Sequence, residues 1–206
     1  LMGFSTILDI LGSIMIGGML LLILLRLNDA AVANSFQYSG ELIIQKNLVE
    51  IVKLLEFDLR KIGYCADWTA LPNPAKSILS VDTSSITYLT DVPTLAHPNG
   101  DGIVDTLRYY LGTVSELAQT PNPRDRMLYR QVNGGVSLGS NLGITQFEFK
   151  FFDTFGNEIN FPILFPGEIQ SMQIDLAVED VAAYDEQYGR VFWRQIRLAA
   201  RNLGNR

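Results

Sequence analysis

ILGSIMIGGMLLLILL, Ile10–Leu25, carries no charged residue, and with Phe4–Leu8 before it and Arg26 after it this stretch decides the architecture. A membrane-spanning helix needs ~20 apolar residues, and Phe4–Leu8 complete that length. Arg26 can reach a headgroup interface along its own aliphatic stem. Asp9 and Ser13 are the polar residues within the apolar segment Ile7–Leu25. An acid inside an apolar span is expensive and marks a partner or a function.

Further along, Leu48, Ile51, Val52, Leu55, Leu59 and Ile62 recur every three or four residues and predict one apolar stripe on a helix. Glu50, Lys53, Arg60 and Lys61 fall off the stripe, with Glu50 and Lys53 spaced for a weak surface pair. Leu42, Ile43 and Ile44 add apolar surface toward the membrane end, open to contact with another subunit. No proline interrupts Phe4–Tyr64, so one continuous helix is expected, stopping at Gly63, a residue that accepts positive φ. About 58 residues at ~1.5 Å each would make a rod of about 85–90 Å. Such a helix has one half suited to lipid or a helical bundle and one half suited to a sheet.

Composition narrows the function. The chain has 206 residues, a net charge of -6, one cysteine (Cys65) and one histidine (His97). The charge argues against a nucleic-acid partner. A lone cysteine excludes an intramolecular disulfide and a cysteine-rich zinc site, and a lone histidine excludes multi-histidine metal sites. Cys65 reads as a small packing residue or a reactive thiol, and Trp68 and Trp193 as core or rim aromatics.

The N-terminal segment admits three readings. A secretory signal peptide would carry a basic region before the apolar run, and none is present. A single-span anchor explains the hydrophobicity and leaves Asp9 without a role. The third reading is a subunit that leaves the membrane for a filament. Gly12, Gly17 and Gly18 weaken the helix by up to about 1 kcal/mol each relative to alanine. They allow either local melting within a filament or close packing between membrane helices.

GFSTILD, Gly3–Asp9, followed by the apolar stretch, resembles the start of type IV pilins and type II secretion pseudopilins. DLRKIGY, Asp58–Tyr64, resembles the D-L-R-x-x-G-Y helix ending of the larger minor pilins and J-type pseudopilins. RLAARNL, Arg197–Leu203, resembles the closing strand of the same group. The resemblance implies processing by a prepilin peptidase between Gly3 and Phe4, often with N-methylation. It also implies an acid, Asp9, that pairs with the free N-terminal amine of a neighbouring subunit. Phe4, Asp9, Leu11, Ile14, Ile16, Leu20, Leu21 and Leu24 would then form the subunit-assembly surface. The implied partners are homologous subunits, the prepilin peptidase and the inner membrane. The implied location is single-pass with an extracytoplasmic head, then an extracellular filament or periplasmic pseudopilus.

Past Tyr64 the texture turns to strands and turns. Strands are expected at 77–81, 85–89, 106–111, 127–132, 144–152, 169–178 and 192–199, with a loop over 67–76 and a hairpin-type turn at Asn133–Gly135. Alternation in 146–152 and 172–178 predicts one face on a core and one outward. The fold class is therefore α+β, a long helix on a mainly antiparallel sheet. The expected division is 1–28 as membrane or filament-core half-helix, 29–64 as amphipathic half-helix and 65–206 as a β-rich head, with 41–62 packing on the head.

Two chemical candidates remain. NGDGIVD, Asn99–Asp105, looks like part of a calcium loop, with Asn99, Asp101 and Asp105 as oxygen donors; its alternative is a tight turn entering the next strand. The acidic run Glu179–Glu186, with Asp180, Asp185 and Glu186, reads as a solvated loop. No coherent catalytic site emerges, so a non-enzymatic subunit without a cofactor is expected. The competing assignment is a single-span accessory subunit of a membrane complex with an extracytoplasmic β domain.

Overall fold

The computed structural model describes residues 2–180 and 189–198. Helix α1 runs over Met2–Leu59. Eight strands follow: β1 (Ile78–Asp82), β2 (Ser85–Thr90), β3 (Asp105–Leu111), β4 (Arg126–Val132), β5 (Leu138–Phe152), β6 (Glu158–Ile159), β7 (Ser171–Glu179) and β8 (Arg190–Leu198). The arrangement is α+β, with an antiparallel sheet in the order β1-β2-β3-β4-β5-β7-β8 and β6 paired to the end of β5. By internal contacts the chain divides into two units, Leu1–Gly40 and Glu41–Arg206.

Leu1–Gly40 is helical throughout its described residues, and over Ile7–Leu25 its apolar side chains are exposed on every side. A helix that is apolar all round finds no energetic reason to stay in water and needs lipid or other helices around it.

Glu41–Arg206 holds the core. Ile44, Leu48, Ile51, Leu55 and Leu59 of the helical part, with Ile62 just past its end, are buried against the sheet's Ile86, Tyr88, Leu107, Tyr109, Phe147, Phe149, Ile174 and Leu176. Full burial of each such aliphatic side chain contributes roughly 1.5–3 kcal/mol, enough to fix which helix face meets the sheet. Ile44 is therefore a core residue, whereas its neighbours Leu42 and Ile43 are exposed, so the three do not form one outward patch. Glu50 pairs with Lys46, one turn back at 3.9 Å, rather than with Lys53. Val52 is only half-buried at the edge of the stripe.

The α-helix ends at Leu59, four residues before the glycine expected to stop it. Lys61 and Ile62 turn tightly, donating to the carbonyls of Asp58 and Leu59, and Gly63 then adopts φ +73 and donates to Leu89 O at 2.9 Å. Gly63 thus joins the helix end to the sheet rather than capping the helix.

Each expected strand is present within a few residues. β5 begins earlier than expected, at Leu138, because its first part pairs with β4 and its second part with β7. In β5 the alternation holds: Phe147, Phe149 and Phe151 are buried, while Gln146, Glu148 and Lys150 are not. It fails in β7, where every residue from Ile174 to Glu179 is buried. β7 lies between β5 and β8, and its Asp175, on the face away from the core, is covered by the cross-strand Arg194, Nε to Oδ1 at 2.7 Å. Trp68 is exposed, whereas Trp193 packs against the core's edge. The R-N-L motif at 201–203 lies outside the described residues.

Candidate assembly surface and the anchor within the head

The proposed assembly residues are all carried by the first part of α1, and their helical spacing distributes them around its circumference. At ~100° per residue, Leu11, Ile14 and Leu21 share one side, Asp9, Ile16 and Leu20 share the opposite side, and Leu24 lies between them. Leu11, Ile14, Ile16, Leu20, Leu21 and Leu24 are between 56% and 65% exposed, as open as a helical side chain becomes with no neighbour. The helix is long and apolar enough to cross a membrane, and none of its most apolar window is buried. Gly3 and Phe4 sit in its first turns. Asp9 is exposed among these apolar residues. Ser13, by contrast, satisfies its hydroxyl locally by donating to Ile10 O at 2.8 Å. Gly12, Gly17 and Gly18 have open space where a Cβ would stand, so nothing within the chain requires glycine at those positions.

Within the head, a buried ionic anchor fastens the helix end. Asp58 is 3% exposed, and its Oδ2 accepts from Arg130 Nε at 2.7 Å and from Tyr109 Oη at 2.5 Å. The β3–β4 register places Tyr109 directly opposite Arg130, so two adjacent strands present their donors to one helical carboxylate. An acid in the last turn of a helix opposes the helix dipole, and the guanidinium offsets that cost. Burial alone would lower the Arg130 pKa, but the hydrogen bond and charge of Asp58 outweigh it and raise it. Burial, joined by the Asp58 charge, pushes the Tyr109 phenol far above its usual range. Tyr88 is fully buried nearby and is raised for the same reasons, its hydroxyl lacking a hydrogen-bond partner. Both phenols stay protonated at physiological pH, and the arrangement suits a structural tie. Sequence reading passed over it, although Asp58 lies three residues after Leu55 and four before Ile62, on the stripe itself.

The Asn99–Asp105 loop is organised around a carboxylate outside it. Asp91, fully buried, accepts from the backbone N–H of Ala66 at 3.0 Å, Asp101 at 3.0 Å and Gly102 at 2.9 Å, with the Cys65 thiol 3.8 Å away. Burial works to raise its pKa, but those donors win and hold the carboxyl below the usual range. Cys65 is buried and its thiol is pushed up, first by burial and then by the nearby acids, so it sits as a protonated packing group. Of the calcium-loop candidates, Asp101 Oδ1 accepts from Ile103 N at 2.9 Å, and Asp105 accepts from Val92 N and from Asn133 Nδ2. Asn99 contributes its carbonyl to the Tyr64 hydroxyl at 3.2 Å. These groups serve the turn, and among the described residues no three His, Cys, Asp or Glu side chains gather as a metal cluster.

The acidic run also divides. Glu179 ends β7 buried and takes both Arg124 Nη2, at 2.8 Å, and the Asn122 amide, at 3.3 Å. It is a structural acid rather than part of a solvated loop. Asp185 and Glu186 lie outside the described residues.

No protein-family model matches the chain, and comparison with characterised proteins returns no match.

Proposed function

We propose that the chain is a non-catalytic structural subunit of a type IV pilus-like or type II secretion-like filament, held in the inner membrane before assembly. One observation carries this reading. The apolar half of α1 exposes side chains on all sides and bears a single acid, Asp9, near its start. A lipid anchor needs the apolar surface and gains nothing from the acid. A helical filament core gains from both, because a carboxylate paired with a neighbour's N-terminal amine fixes axial register in an apolar bundle.

In this account the Ile7–Leu25 surface is buried among neighbouring copies after leaving the bilayer, and the sheet faces outward. The Asp58–Arg130–Tyr109 anchor keeps the head's own helical segment, Glu41–Leu59, fixed to the sheet while the apolar part is extracted. The work of extraction comes from a separate ATPase.

The lone cysteine provides a direct test, since Cys65 is buried. Single cysteines introduced as Ile16→Cys and Leu20→Cys should form disulfide-linked copies of the chain in the filament fraction on mild oxidation. A single-span accessory subunit would instead give links to a fixed partner of different mass.

A further inference from the structure

β4 accompanies β5 only as far as Ile144, and β6 joins β5 only at Phe151 and Phe152. Between them the β1–β2 turn touches β5 once, where Thr83 O accepts from Phe149 N at 2.8 Å. The gap left in the sheet is a cleft of about 540 Å³. Arg126 enters it from the first position of β4. Its Nε is shielded from solvent and has no hydrogen-bond acceptor, and neither does the shielded Thr145 hydroxyl on the facing wall. Among the described residues, no carboxylate forms an ion pair with Arg126.

A shielded guanidinium edge without an acceptor is costly, and folded proteins normally supply one. The half-buried Arg130 in this head follows that rule, since it has Asp58. We infer that the Arg126 cleft binds a carboxylate borne on an apolar body, a small side-chain shift at the cleft wall bringing out the Arg126 guanidinium as the cation and the Thr145 hydroxyl as the second donor.

Three features define the class. The guanidinium fork matches a carboxylate's two oxygens. The half-buried Leu111 and Phe161 line the cleft and provide the apolar contact. Glu148 and Glu158 also line it, and Lys150 is already paired with Glu158 at 3.7 Å, so a monoanion is favoured over a phosphate dianion. A free organic acid and the C-terminal carboxylate of a peptide share this chemistry. The inference concerns the head alone and does not depend on the filament reading.

The test uses the full chain in detergent micelles, following the Arg126 Nε–Hε resonance during titration. The probes are benzoate against benzamide, and N-acetyl-Val-Ala-Phe acid against its C-terminal amide. The acids should shift that resonance saturably, and the amides should bind at least about tenfold more weakly, as loss of a charge-assisted pair requires. In Arg126→Met the Leu111 and Phe161 backbone amide resonances, which the acids should also shift in the unaltered protein, should no longer move, while the backbone spectrum of the head is otherwise preserved. A peptide acid binding at least about tenfold tighter than benzoate assigns the peptide terminus as the source, and comparable affinities assign a small acid. Two results overturn the inference: no saturable shift with either acid, or equal binding of acids and amides. Both comparisons hold in the unaltered protein, so they stand even if the Arg126 variant fails to fold.

Discussion

Arg130 on β4 donates to Asp58 at the end of α1 across 2.7 Å, although the two residues stand far apart in the chain. Asp58 is almost wholly buried and the Arg130 side chain is 21% exposed, so water screens the pair only weakly. Removing one partner leaves the other's charge buried. Asp58→Ala should therefore destabilise the head by about 3–5 kcal/mol, read by denaturant unfolding. Asp58→Leu combined with Arg130→Met should recover much of that loss, because the double variant removes both charges. Strict additivity of the two single changes would show that the groups do not act as a pair.

Gly100 is held against Asp91. Its φ is +102, and a Cβ there would come within 2.3 Å of the Asp91 carboxylate. Gly100→Ala should destabilise by about 2–4 kcal/mol through combined backbone strain and displacement of the carboxylate. Equal melting temperatures for the variant and the parent would contradict that geometry.

The same carboxylate sets a pH dependence. Its pKa in the folded protein lies below the unfolded value of 3.8. The carboxylate's stabilisation is thus complete above that value, where Asp91 is ionised in both states. It is lost as pH falls through the lower folded pKa. Asp91→Asn should flatten the acid side of the stability profile below about pH 4 and cost about 2–3 kcal/mol at neutral pH, where charge-assisted bonds to backbone N–H groups are lost. An unchanged acid limb would show that Asp91 is not a major contributor.

Leu55 and Leu20 make a contrasting pair. Leu55 is fully buried between helix and sheet, whereas Leu20 is 56% exposed. Leu55→Ala should destabilise the head by about 2–5 kcal/mol. Leu20→Ala should change head stability by less than about 0.5 kcal/mol while reducing recovery of the chain in the filament fraction. Loss of head stability with Leu20→Ala would place that residue in the fold rather than at an assembly contact.

The sequence made the helix and strands legible because their signals are local. The three-and-four spacing from Leu48 to Ile62 named most of the buried helix face, and β5's alternating phenylalanines named its core side. What it did not disclose depends on long-range partners. Asp58 looked like a helix-end charge until β3 and β4 brought Tyr109 and Arg130 to it. Glu179 looked like the start of a solvated loop until Arg124 and Asn122 closed over it. β7's buried second half reflects its central place in the sheet, which no periodicity within nine residues announces. Ile44 was read outward with Leu42 and Ile43 because the stripe was begun one turn too late. The assembly residues were read from a resemblance and from apolarity, and their partners lie outside the single chain.

The central claim rests on the N-terminus, and N-terminal sequencing with intact-mass measurement of the protein from its native membrane or filament fraction tests it most directly. The filament account predicts a chain beginning at Phe4, with an N-methylated amine free to pair with Asp9 of a neighbour. A mature chain that retains Gly3 and the residues before it would contradict that account and favour the single-span accessory subunit.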